Sequence, residues 1–301
     1  MNKLITDVKS LEIETLKNLK NSKANNTLRA YQSDFRDFTA FCNKNGFAAM
    51  PTQPKIVSLY ITHLSKSSKL STLKRRIASL SVIHKLKGHY LDTKNPIIME
   101  NLHGIKRTLG SRQRAKKPIL INDLKLIIKV INKDKIRDKA LILIGFAGGF
   151  RRSELVNIDH EDIEFVPEGV KILIKRSKTD QSGEGILKAI PYLNNKEFCP
   201  VIALKSFVDQ QSLDKSQGKV FKLSDKSVAL IIKRYAQKAG LDASKYAGHS
   251  LRSGFATTAA EFGAEERNIM AMTGHKTTQM VRRYIQEANL FKNNALNKIK
   301  I

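Results

Sequence analysis

Apolar residues recur at helical spacing through the first third of the chain. Leu28, Tyr31, Phe35, Phe38 and Phe41 fall every three or four positions, which predicts a helix over 27–44 stopped by Asn45-Gly46. A second helix is predicted from Pro54 to Leu64, with Ile56, Leu59, Tyr60 and Leu64 facing inward. A third is predicted over 71–87, capped by Ser71 and striped by Leu73, Ile77, Leu80 and His84. A fourth starts at Pro96, because proline suits a first helical turn, and runs to Leu109. A weaker stripe through Val8, Leu11, Leu16 and Leu19 marks a short helix over 7–20. Four striped helices cover their apolar faces by forming a small bundle.

The pattern breaks at 110–118, where Arg112, Arg114, Lys116 and Lys117 follow Gly110 and the run closes on Pro118. This is a basic linker; a solvated tether and one that tracks a phosphate backbone both fit it. Beyond it lie a helix capped by Asn122 and another from Asp134 to Ala147. The run Gly145–Phe150 is not a nucleotide loop, since a helix precedes it and no Lys-Ser/Thr follows. The period then changes to two. Val170, Ile172 and Ile174 alternate with Lys171, Leu173 and Lys175, a polar turn spans Ser177–Gly185, and Ile186–Pro191 returns. Helical periodicity resumes over 201–212, 225–239, 250–262, 265–272 and 277–289. The fold class expected is mainly α with a small antiparallel β-sheet. The expected segments are an N-terminal piece (1–23), a helical domain (24–109), the linker (110–118), a second domain (119–289) and a tail (290–301).

Charge narrows the function. The chain carries 54 Lys and Arg against 27 Asp and Glu, a formal +27, and both halves share the excess. That balance selects a polyanionic partner, with nucleic acid first. The polar face of the third predicted helix carries Lys74, Arg75 and Arg76, which join the four linker cations as expected DNA contacts. Cys42 and Cys199 lie too far apart in sequence to read as a zinc motif or a disulfide framework, so a cytoplasmic location is expected. The seven histidines show no metal-ligand spacing, and no metal or cofactor is expected. The N-terminus has no long apolar run, so neither a signal peptide nor a membrane span is expected.

Residues 249–284 carry the chemistry. His249 and Arg252 are three apart, which places both on one helix face, where an imidazole and a forked guanidinium suit a phosphate. Gly274-His275 follows, then Thr277 as a helix cap, and Tyr284 nine residues after His275. A phenol beside cations is a competent nucleophile toward phosphorus. Upstream stands Arg151-Arg152-Ser153-Glu154-Leu155, whose Arg151 could equally form a plain surface ion pair with Glu154. Each motif alone is common. In this order the set resembles the tyrosine recombinases, the phage integrase family, and the resemblance runs from about residue 24 to 292.

The resemblance implies a helical core-binding (SAM-like) bundle followed by a catalytic domain, the two closing on double-stranded DNA as a clamp. It implies a site-specific DNA recombinase that cuts and rejoins strands through a 3′-phosphotyrosine at Tyr284. Arg151 and Arg252 would clamp the non-bridging oxygens, with Glu154 orienting Arg151. His249 would shuttle a proton, His275 would donate a hydrogen bond, and Lys178 would protonate the leaving oxygen. Lys175 and Lys188, lying in the strands, are set aside for that role. The tail would dock on a neighbouring copy and link a tetramer on synapsed DNA. Intramolecular packing of the tail through Leu290, Phe291, Leu296 and Ile299 fits the sequence nearly as well. Relaxation of supercoils by a type IB topoisomerase-like enzyme, or non-catalytic DNA binding, are the competing functions. Accessory DNA-bending proteins and the target site are left open.

Overall fold

The structure, a computed structural model, describes residues 25–110, 116–175, 185–211 and 218–289, with further positions at 10, 11, 14, 291 and 295–299. The chain divides into two units, Met1–Arg114 and Ala115–Ile301. Arg112 and Arg114 of the linker, Lys178, and nearly all of 7–20 lie outside the described residues.

The first unit contains α1 (Asn25–Lys44), α2 (Pro54–Ser65), α3 (Leu70–Leu86) and α4 (Pro96–Leu109). Phe38, Val57, Tyr60, Ile61, Leu73, Leu80, Ile98 and Leu102 fill its core. The face expected for α2 is corrected: Leu59 points outward, while Val57 and Ile61 are fully buried. Both sets share helical spacing, and contact with the other helices selects between them. The cap expected for α3 is also corrected, because the helix begins at Leu70 and Ser71 lies inside it. Asn95 caps α4, its side chain accepting from Ile97 N at 3.2 Å, with Pro96 first in the helix.

A polar network crosses this bundle. Buried Asp34 accepts from Ser79 Oγ at 2.6 Å and pairs with Arg75. Asp37 pairs with Arg76 and accepts from Tyr60 Oη at 2.5 Å. Of the three cations on α3 expected to contact DNA, Arg75 and Arg76 are therefore held by carboxylates, and Lys74 is exposed.

The second unit holds α5 (Ile121–Lys129), α6 (Ile136–Ala147), α7 (Arg152–Val156), β1 (Ile163–Val166), β2 (Gly169–Ile174) and β3 (Ile186–Pro191). These are followed by α8 (Pro200–Asp209), α9 (Asp225–Lys238), α10 (Ser250–Glu261), α11 (Glu266–Thr273) and α12 (Thr278–Ala288). Asn122 is not the cap expected of it, since α5 starts at Ile121 after Leu120. Helix α6 is apolar all round from Ala140 to Phe146 and is correspondingly buried on every side, against α8 and α10. The sheet is antiparallel in the order β1-β2-β3, with Ile163 opposite Ile172 and Ile172 opposite Lys188. Strand β1 and helix α7 are additions to the expected elements. Helix α10 packs tightly on the chain entering the unit, where a Cβ on Gly254 would lie 2.0 Å from the Ile119 carbonyl oxygen. Among the described residues no helix is long and apolar enough to cross a membrane.

Candidate active site

Helix α6 ends in the turn Gly148-Gly149-Phe150, and that turn delivers Arg151. Gly149 adopts φ +55°, a left-handed conformation that glycine takes without steric cost. Arg151 caps α7, and Glu154 in the first turn accepts from the Arg151 backbone N–H at 2.9 Å. The same buried carboxylate pairs with the Arg151 guanidinium, whose Nη2 also reaches the Gly274 carbonyl at 3.3 Å. Arg152 turns elsewhere, lying against Gly248 with its guanidinium 3.8 Å from Asp225.

His249 is the N-cap residue of α10 and Arg252 sits one turn along. Arg252 is 1% exposed. Its Nη1 donates to the Gly149 carbonyl at 2.9 Å, while Nε and Nη2 find no hydrogen-bond partner among the described residues. Burial, reinforced by Arg151, draws its pKa down to about 10, so it remains a cation at neutral pH. Buried donor nitrogens without partners are costly unless something accepts from them.

Gly274 ends α11 in the left-handed conformation at φ +62°, and the chain turns there to present His275. Thr273 Oγ1 lies 2.7 Å from His275 Nδ1 and fixes the ring. Tyr284, on α12, places its ring 5.9 Å from that of His275 and its Oη 3.5 Å from His249 Nε2. Thr277 precedes α12 as expected, but its side chain makes no capping hydrogen bond. Burial and the nearby arginines lower the pKa of both histidines, that of His275 to about 4, so both rings are neutral at pH 7.

The structure thus brings Arg151, Glu154, His249, Arg252, His275 and Tyr284 together from α7, α10, the α11–α12 turn and α12. Tyr246, by contrast, is buried and donates to Asp123 at 2.9 Å. Lys117 pairs with that same Asp123 at 2.9 Å, and Lys116 donates to the Ser244 carbonyl at 2.6 Å. Lys175 is held by Asp159, Glu161 and Asp162, which push its pKa up.

Lys188, set aside on sequence, belongs to the site's surroundings. It is 3% exposed and donates to the Gly148 carbonyl at 2.6 Å. The sequence signal was its place in the alternation. In β3 the inward positions read Ile186, Lys188, Ile190, so a charge occupies the core face while Leu187 points outward at 62% exposure. Among the described residues no group of three or more His, Cys, Asp and Glu side chains is placed to hold a metal ion.

Comparison with known proteins adds to this geometry. Residues 117–290 match the model of the phage integrase family. The chain is 41% identical to an integrase/recombinase xerD homolog of Selenomonas ruminantium, over 99% of this chain and 92% of that protein. Its fold is similar to that of XerH site-specific recombinase bound to a palindromic difH substrate, at a TM-score of 0.64 and 16% identity, over 88% of this chain and 80% of the other. It is likewise similar to a lambda integrase dimer bound to a COC′ core site, at a TM-score of 0.62 and 16% identity, over 99% and 100% of the two chains.

Proposed function

Because the chain belongs to the phage integrase family of tyrosine recombinases, we propose that Tyr284, Arg151, Arg252, His249, His275 and Lys178 perform its strand exchange. The protein is a site-specific DNA recombinase that cuts and rejoins strands through a covalent 3′-phosphotyrosine. Tyr284 Oη attacks phosphorus, forming the P–Oη bond as the bond from phosphorus to the 5′-oxygen breaks. Neutral His249, 3.5 Å away, takes the phenolic proton. Arg151 and Arg252 hold the non-bridging oxygens, where charge builds as the phosphoryl group transfers. His275 lies against the tyrosine ring and positions it. Lys178 gives its proton to the leaving oxygen; Lys175 is unsuited, its ammonium being stabilised by three carboxylates. A 5′-hydroxyl from another strand then reverses the step and rejoins the DNA.

The observation that carries this reading is Arg252, a buried guanidinium whose Nε and Nη2 have no hydrogen-bond partner among the described residues. A phosphodiester supplies the acceptors they lack. The partner is double-stranded DNA. We place the protein with its DNA in the cytoplasm, which suits two buried free cysteines. Tail residues Phe291, Leu296 and Ile299 are exposed, which supports docking on a neighbouring copy and a tetramer on synapsed DNA. The test uses nicked DNA that traps the adduct. Wild type becomes covalently attached, while Tyr284→Phe binds equally and forms no adduct. Attachment of the Phe variant would place the nucleophile elsewhere.

A further inference from the structure

Lys188 is a buried amine that the reaction just described does not use. It occupies an inward position of β3, with Nζ 2.6 Å from the Gly148 carbonyl oxygen and 4.3 Å from the centre of the Phe150 ring. One residue on, the Gly149 carbonyl accepts from Arg252 Nη1 at 2.9 Å. Two cations from two separate elements therefore grip consecutive carbonyls of the turn whose next residues are Phe150 and Arg151. The turn is also closely folded on itself, and a Cβ at Gly148 would fall 2.1 Å from the Phe150 ring.

We propose that Lys188 is a positioning residue for strand cleavage: by holding the Gly148 carbonyl it fixes the turn that aims Arg151, and ties β3 to the phosphate clamp. One hydrogen bond then sets the hairpin and the arginine relative to each other. The surroundings agree with a functional rather than a packing role. Burial brings its pKa down to about 7, with Glu154 attracting the ammonium and Arg252 and Arg151 repelling it. Its charge in turn helps keep His275 neutral. A leucine at the same inward position would fill the space without that cost. Placing a titratable amine there, with Leu187 turned out to solvent, is the arrangement expected where a site needs the group. A misplacement of about 1 Å in a clamp of this kind costs on the order of 10²-fold in rate.

The inference rests on the proposed roles of Tyr284 and Arg151, and the experiment separates the two. Wild type, Lys188→Met and Lys188→Arg are compared on nicked DNA, with binding measured by titration and cleavage by adduct formation at saturating DNA. Expected is Met binding DNA within about threefold of wild type but cleaving about 10²-fold more slowly. Arginine, which keeps the charge and the donors, should recover at least tenfold of that loss. Cleavage by Met at the wild-type rate overturns the proposal. So does a parallel fall in binding and cleavage, or an arginine variant no faster than Met. If Met does not fold, arginine within about tenfold of wild type upholds the proposal and a slower arginine overturns it; failure of both to fold makes Lys188 a folding residue and overturns it too. Absence of an adduct with wild type would sink the Tyr284 reading instead.

Discussion

Arg151 and Arg152 are adjacent in sequence and opposite in surroundings. One is fixed by Glu154 and the Gly274 carbonyl, the other lies along Gly248 toward Asp225. Arg151→Lys keeps the charge but loses the fork, and adduct formation should fall by roughly 10²–10³-fold, the loss usual when one stabiliser of developing charge is removed. Arg152→Lys should stay within about threefold, as a substitution away from the clamp does. The second residue-scale prediction concerns pH and stability. Lys188 has a folded-state pKa near 7, below its ordinary value of 10.5. Between those values the unfolded chain binds the extra proton, so this residue's contribution to stability is complete above pH 10.5 and is lost as pH falls to 7. Chemical denaturation of wild type and Lys188→Met over pH 6.5 to 9.5 should show wild type gaining stability relative to the variant as pH rises. A constant difference would mean the amine keeps an ordinary pKa.

The hairpin of β2 and β3 is the element with the most to test. Lys178 can be examined by its role, because a 5′-alkoxide needs a proton to leave and a 5′-thiolate does not. Lys178→Ala should cleave ordinary DNA very slowly and recover much of its rate when sulfur replaces the bridging 5′-oxygen. Arg151→Ala should not recover, since the clamp is still missing. Rescue of neither variant would make Lys178 a phosphate contact only. The same hairpin shows what could be read from sequence. Period-two alternation located β2 and β3, and proline located the starts of α2 and α4, because these are local signals. The order of His249, Arg252, His275 and Tyr284 led to residues that the fold brings together, from α10, the α11–α12 turn and α12. Strand β1 escaped, being four residues that acquire their pattern only through pairing with β2. The inward face of α2 was misjudged because Leu59 and Ile61 are equally apolar, and only the neighbouring helices choose between them. Lys188 is disfavoured as the acid on sequence because it lies in a strand and not on the loop; its burial shows only in the paired sheet, where Leu187 turns outward.

Taken whole, the molecule carries +27, and cations occur in both units. DNA affinity should therefore fall steeply with salt, by about 10³-fold or more between 50 and 200 mM if six or more phosphates are neutralised. A flat profile in a filter or anisotropy titration would count against backbone contact by both units. Removal of residues 290–301 should leave DNA binding and thermal stability nearly intact while lowering synapsis and recombination. Equal loss of stability and binding would instead assign the tail to its own domain. The buried donors of Arg252 have a consequence for information as well as for rate. The group proposed to fill them is a phosphodiester, and every step of every DNA molecule offers the same one. On that proposal the pocket would perform the cut without knowing which letters surround it. Whatever makes the protein selective must therefore act earlier, by deciding which phosphate arrives. It follows that altering target choice and altering catalytic power are separable problems, to be engineered on different surfaces of the same chain.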